Sequence, residues 1–193
     1  LEQGVDQLAM RLIRKCPCPV WVIRQNHTQE FRRIIGAVDL QEKSEESLEL
    51  NRKIIEITHS LAQREHGEAH YLHAWRLEFE TMINSPRMKV SPEELAEIKT
   101  AIRNEREEAF EGLFEVCGIF PQTEKIHLVE GTTAEVIDRL KERLNIDVLV
   151  MGSVGRTGIP GFILGNMAEK ILNQISCTVL TVKPDGFVTP VTL

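Results

Sequence analysis

The sequence predicts an α/β fold, with a parallel sheet covered by helices on both faces. Three observations lead there. Short apolar runs at 33–39, 69–75, 125–131, 148–152 and 178–183 alternate with longer stretches of helical periodicity. The central runs are apolar without alternation, as strands buried on both faces must be. Turn and cap residues such as Gly67, Ser91-Pro92 and Gly131 stand at the junctions. Strand and helix alternate five times, which predicts five parallel strands joined by right-handed crossovers.

Residues 1–24 form a unit of their own. Leu8, Leu12 and Ile13 fall at helical spacing, and Arg11, Arg14 and Lys15 suit a helix C-terminus. Pro17 and Pro19 end the helix, and Val20 to Ile23 reads as a strand. The end of the chain repeats this pattern. At a constant offset of 159 residues, Ala9 falls on Ala168, Leu12 on Ile171, Ile13 on Leu172, Cys18 on Cys177, Val20 on Val179 and Arg24 on Lys183. We read an internal repeat of which only the tail of the first copy is present. Its apolar face is expected to rest on the complete copy, with its strand alongside residues 178–183.

Residues 25–32 are polar and read as a linker. The run 33–39 is a buried strand ending in Asp39, a carboxylate that either serves a ligand or opens a turn. A helix over 47–64 follows, with Leu48, Ile54, Ile55, Ile57 and Leu61 on its apolar face and Gly67 as its terminator. Residues 69–75 form the second strand, which places His70 and His73 on opposite faces. His66 and His70 are four residues apart, but the helix ends at Gly67 and His70 lies on a strand, so no helical i, i+4 zinc pair exists among His66, His70, His73 and His127 and no metal site is expected. After a polar excursion over 76–90, Ser91-Pro92-Glu93-Glu94 starts a helix running to about 115. Its acidic residues are expected to face water. Residues 125–131 form the third strand. Thr132 is available as the next helix cap, and residues 145–152 lead through the fourth strand into a glycine-rich loop.

That loop carries most of the functional information. Glycines stand at 152, 155, 158, 161 and 165 between an apolar strand and a helix with Met167, Ile171 and Leu172 at helical spacing. Such a turn can cradle a phosphate: missing Cβ atoms let N–H groups face an anion, and the helix start adds positive potential. It can equally serve only to turn the chain, with Asn166 and Glu169 as a helix cap. G-x-G-x-x-G is absent, and so is G-x-x-x-x-G-K-[ST]. What stands here is Gly152-x-x-Gly155, nine residues, then Gly165.

Composition narrows the classes further. The formal charge of −6 gives no drive toward nucleic acid, and no apolar run is long enough to span a membrane. Cys16, Cys18, Cys117 and Cys177 show no C-x-x-C spacing and read as reduced thiols, as expected of a cytoplasmic protein. No Ser-His-Asp or Cys-His set emerges from the spacing. Asp39 is the sole candidate base, and an enzyme is not expected.

The glycine spacing resembles that of the universal stress protein family, whose nucleotide-binding members carry G-x-x-G, nine residues, then G-[ST]. Asn166 stands where the family has Ser or Thr. The strand-end Asp39, Gly131-x-x-Ala134-Glu135-x-Ile137 and the repeated Cys-x-Val strand match the family as well. The resemblance covers 25–185 and looks like the second half of a tandem, E-type member. It implies an adenine nucleotide alpha hydrolase-like sheet of five strands in order 3-2-1-4-5. The implied domains are 1–24, the tail of a preceding domain; 25–32, a linker; 33–185, a complete domain; and 186–193, a C-terminal tail. Carried over by position, Asp39 would face adenine and ribose, with Ala74 and Met151 lining the base. Gly152, Gly155, Gly165, Asn166 and Met167 would surround the phosphates, with Arg156 nearby.

The implied ligand is ATP or AMP, with Mg2+ only beside a triphosphate, in a stress-response regulatory module. The alternative is an interaction or dimerisation module without ATP, or a binder of another phosphate- or acyl-bearing metabolite. The implied partner is a preceding universal stress domain or a second copy, joined through the last strand as a tandem pseudo-dimer or homodimer.

Overall fold

The computed structural model describes residues 4–23, 30–77, 90–153 and 164–189. Its elements are α1 (Gln7–Lys15), β1 (Val20–Val22), β2 (Arg33–Ala37), α2 (Glu45–Arg64), β3 (Glu68–Trp75), α3 (Pro92–Cys117), β4 (Ile126–Glu130), α4 (Thr133–Leu144), β5 (Val148–Gly152), α5 (Asn166–Gln174) and β6 (Thr178–Val182). A 3-10 turn at Thr123–Lys125 leads into β4.

The expected sheet of five parallel strands is corrected to a mixed sheet of six, in order β1-β6-β5-β2-β3-β4. Strands β2 to β6 are parallel and follow the expected 3-2-1-4-5 order. The added strand is β1, antiparallel to β6, with Val20 opposite Thr181, Trp21 opposite Leu180 and Val22 opposite Val179. An uncovered β6 would present a row of unpaired backbone groups, and β1 satisfies them.

Residue parity along the strands divides the interior into two cores. Ile35, Leu72, Leu149 and Val179 pack with α1, α4 and α5 through Ile13, Val136, Leu140, Ile171 and Leu172. Ile34, Tyr71, Val148, Val150 and Leu180 pack with α2 and α3 through Ile54, Ile55, Phe110 and Phe114. Helices thus lie on both faces, as expected.

Several local expectations change on contact with tertiary structure. In α1 the buried residues are Met10 and Ile13, while Leu8 and Leu12 are exposed. In α2 Leu48 is exposed, and Asn51 and Thr58 are buried with Ile54, Ile55 and Leu61. This helix lies so close to the sheet that a Cβ on Gly36 of β2 would stand 2.4 Å from Thr58 Oγ1. The left-handed residue after α2 is His66 (φ 51°) rather than Gly67. Gly67 is demanded by close approach instead: a Cβ there would meet the Arg32 carbonyl oxygen at 2.5 Å. The start of α3 is a capping box, with Glu94 N–H donating to Ser91 Oγ (3.1 Å) and Ser91 N–H to Glu94 Oε2 (2.8 Å). Its acidic residues 93, 94, 97, 105, 107 and 108 are exposed. Thr132 precedes α4, but its hydroxyl donates to the Glu135 carboxylate at 2.7 Å and caps no amide.

Candidate ligand-binding site

The candidate site lies at the carboxyl ends of β2 and β5. These strands are neighbours, yet the chain leaves β2 for α2 on one face and next reappears after β5 as α5 on the other. Such a reversal opens a crevice between two strand ends. Ala37 stands opposite Met151, so Asp39 and Gly152 leave the sheet side by side.

The path of β2 continues past its last ladder residue, with Val38 N–H donating to the Leu72 carbonyl at 2.9 Å. Asp39 is then held by the buried Asn51 of α2. Asp39 N–H donates to Asn51 Oδ1 (3.0 Å), and Asn51 Nδ2 donates to the Asp39 carbonyl (2.6 Å). One side-chain amide thereby replaces the ladder partner that the backbone loses where the strand ends. The carboxylate turns back to accept Gln41 N–H through Oδ1 at 3.0 Å, an Asx turn. The next residue is clamped too. Arg106 of α3 donates through Nη1 to the Leu40 carbonyl at 3.1 Å. His73 Nδ1 lies 3.3 Å from Leu40 N and 3.1 Å from the Val38 carbonyl, and its tautomer decides whether it accepts from the first or donates to the second. The backbone that presents Asp39 is therefore fixed from α2, α3 and β3.

On the β5 side, Gly152 abuts α2, and a Cβ there would reach Leu50 Cδ2 at 3.0 Å. Ser153 is buried, with its N–H donating to the Val182 carbonyl (3.1 Å) and its own carbonyl accepting Gly165 N–H (3.0 Å). Gly155 and Arg156 lie outside the described residues. The helix cap differs from the one expected. Gly165 is the N-cap of α5, Asn166 is the first helical residue, and no side chain caps the helix. The Gly165 N–H is engaged by Ser153 and so is not turned to a phosphate. Asn166 and Met167, both exposed, occupy the first turn, where amides have no partner within the helix. Glu169, expected in the cap, instead pairs with Arg14 of α1 at 2.7 Å.

The structure thus brings Asp39, Met151 and Gly152 to neighbouring strand ends, and Ala74 stands on the next strand, two residues beyond the partner of Ala37. Gly165, Asn166 and Met167 join from the α5 side through Ser153. Sequence reasoning missed Asn51 and Arg106. Asn51 lies at helical spacing from Ile54 and Ile55, so a polar residue on the apolar face was the signal that could have found it, and Arg106 falls in a helix whose acidic residues face water.

The strand order and the helices on both faces define a doubly wound α/β domain. Residues 30–183 match the universal stress protein family, and the chain belongs to it. It is 34% identical over 183 residues to universal stress protein E of Escherichia coli K12, covering 94% of this chain and 56% of that one. It is 31% identical over 176 residues to the universal stress protein E homologue of Haemophilus influenzae, covering 90% and 55%. The chain therefore spans a little over half the length of these curated relatives. Among solved structures it is similar to a functionally unknown protein from Pseudomonas aeruginosa PAO1, with a TM-score of 0.74, 25% identity and coverage of 95% and 58%. A universal stress protein from Archaeoglobus fulgidus, at 17% identity and a TM-score of 0.59 over 94% of this chain, shares the fold. No helix among the described residues is long and apolar enough to cross a membrane.

Proposed function

We propose that this chain is a stress-response regulatory module that binds an adenine nucleotide, ATP or AMP, in the crevice between β2 and β5. The observation that carries this reading is the pairing of Ala37 with Met151, which sets Asp39 beside Gly152 at the point where strand order reverses. The uncapped start of α5 adds amide donors for a phosphate. Ribose and base would lie toward Asp39, Ala74 and Met151, and the phosphates toward Gly152, Gly155, Arg156, Asn166 and Met167. Mg2+ would enter only with a triphosphate, whose oxygens would supply ligands, since no group of three or more candidate ligating side chains occurs among the described residues. We read the module as regulatory rather than catalytic, because a carboxylate oxygen of Asp39 holds its own turn.

Titration of the full chain with labelled ATP and AMP tests the proposal. Saturable binding should weaken at least about tenfold in Gly155→Val and Asp39→Ala, the loss of a main-chain cradle and of one polar contact. Absence of binding at millimolar nucleotide overturns it. Two observations favour a second reading, an interaction module without nucleotide: the Gly165 N–H is already engaged, and Asn166 stands in place of a hydroxyl. Mass spectrometry of small molecules released from the purified protein separates nucleotide, another phosphate- or acyl-bearing ligand, and none.

We also propose that residues 1–24 are the last helix and strand of a preceding universal stress domain, linked through 25–32 to the domain at 33–185. Burial supports this. Leu12 is 49% exposed where its repeat counterpart Ile171 is 3% exposed, and Ile23 is 61% exposed where Val182 is 1%. A hollow of about 420 Å³ between Trp21, Ile57, Arg64 and Leu180 lies along the same seam. The body of the preceding domain would cover these residues.

A further inference from the structure

At the opposite end of the sheet from Asp39, two buried histidines face each other across β3 and β4. His127 stands opposite Leu72, and His70 is two residues earlier on the same face. Their rings stack at 5.2 Å between centroids, and His70 Nδ1 lies 3.0 Å from His127 Nε2. Both residues are more than nine-tenths buried. Among the described residues strand β4 is the sheet edge, with β3 as its partner in the ladder, so this contact belongs to what holds the edge in place.

The charged surroundings oppose protonation. From β3, Glu68 Oε2 stands 3.7 Å from His70 Nε2. That carboxylate is already engaged by Lys125 at 3.0 Å, from the turn before β4, and by Arg33 of β2 at 3.8 Å. From α4, Arg143 adds positive potential at His127. Around the pair, one carboxylate already shared by Lys125 and Arg33 is thus set against three cations. Burial holds both imidazoles below the ordinary histidine range, and His127 is pushed down to about 4.

We propose that the stacked His70–His127 pair is an acid-sensitive latch, which holds edge strand β4 on β3 and releases it when both rings are protonated. With both rings neutral, one N–H donates to the other ring's lone pair. One added proton preserves that bond. A second removes the last acceptor, leaving two N–H groups opposed at 3.0 Å in a buried site. The direction follows from linkage. The folded state prefers neutral rings, so below the ordinary value of 6.5 the opened state binds more protons than the closed one. Closure is therefore fully retained above about pH 6.5 and is lost as pH falls toward 4. One proton taken up on opening raises the open population by up to about tenfold per pH unit. The device is independent of any ligand at Asp39.

Backbone hydrogen exchange of the full chain at pH 7 and pH 5, expressed as protection factors, tests the latch. Protection over 126–130 should fall about tenfold or more in the wild type, to a level below that over 148–152 at pH 5, and by less than about threefold in His127→Gln, whose amide can pair but does not titrate. Equal protection over 126–130 and 148–152 at pH 5, or an unchanged pH dependence over 126–130 in His127→Gln, overturns the proposal. Should that variant fail to fold, an imidazole titration by NMR on the wild type decides. Two rings protonated below the usual range support the latch, and independent titration near 6.5 overturns it.

Discussion

Replacing Asn51 by alanine is the most direct probe of how the site is built. Asn51 is buried, and its amide accepts from Asp39 N–H at 3.0 Å and donates to the Asp39 carbonyl at 2.6 Å. Alanine leaves both backbone groups without that partner. Each polar group so stranded costs about 1–3 kcal/mol when fully buried. Asp39 is half-buried, so water recovers part of the loss, and the expected destabilisation is about 2–3 kcal/mol for the pair. Urea unfolding followed by circular dichroism reads it as a lower midpoint at constant slope. Asn51→Asp is the informative control. It keeps an acceptor for Asp39 N–H but turns a carboxylate toward the Asp39 carbonyl, so it should recover little. A change below about 0.5 kcal/mol in Asn51→Ala, within the range of ordinary surface substitutions, would mean the loop relaxes freely. Wild-type stability in Asn51→Asp would mean that the Nδ2 contact holds nothing. Either result removes the argument that α2 presents Asp39 in a fixed position.

Two further outcomes follow from the packing. Gly36→Ala would place a methyl 2.4 Å from Thr58 Oγ1, which is itself bonded to the Ile54 carbonyl, so a loss of about 1–3 kcal/mol is expected by chemical denaturation. Combined with Thr58→Ala it should cost less than the sum of the singles by more than about 0.5 kcal/mol, and strict additivity would refute the contact. Trp21→Pro should detach β1 and uncover the β6 edge, giving concentration-dependent dimerisation in sedimentation velocity that Leu180→Lys suppresses. An unchanged molecular mass across the concentration range would argue against β1 as the occupant of that edge.

The apolar strands, their parallel direction and the Ser91 helix start were legible because each rests on local pattern: runs buried on both faces, strands alternating with helices, and a serine cap followed by proline; the strand order came from the family resemblance. The misreadings share another origin. Leu48 and Asn51 both had the spacing of the apolar face, but only Leu48 had the apolarity; α2 overlies the end of β2, where the backbone needs an amide more than the core needs a leucine. Asn166 and Glu169 had the spacing of a cap, but Arg14, from a segment more than 150 residues away in sequence, takes Glu169, and Gly165 holds the cap position. Arg106 gave no signal at all, since a helical arginine points inward only when a carbonyl such as that of Leu40 waits there. Composition and periodicity report which surfaces are buried. They do not report which buried backbone groups lack partners.

The β1–β6 seam joins the repeat in the sequence to the geometry of the sheet. The repeat relates each residue of 9–24 to the one 159 positions later, so Trp21 corresponds to Leu180. In the ladder Trp21 lies opposite Leu180, its own counterpart. The pair Val20–Thr181 is carried by the same relation into Val179–Val22, which is also a pair in the ladder. Exchanging the two strands thus reproduces the register, as a two-fold contact between like surfaces requires. Any antiparallel register is reproduced by that exchange; what is particular here is the antiparallel direction itself, which a parallel β1 would break, and the centring of the pairing on Trp21 and Leu180, the middle residues of both strands. That direction and centring support the proposal that β1 occupies the place of a last strand from an equivalent domain, with the exposed Leu12 and Ile23 facing where the rest of it would lie.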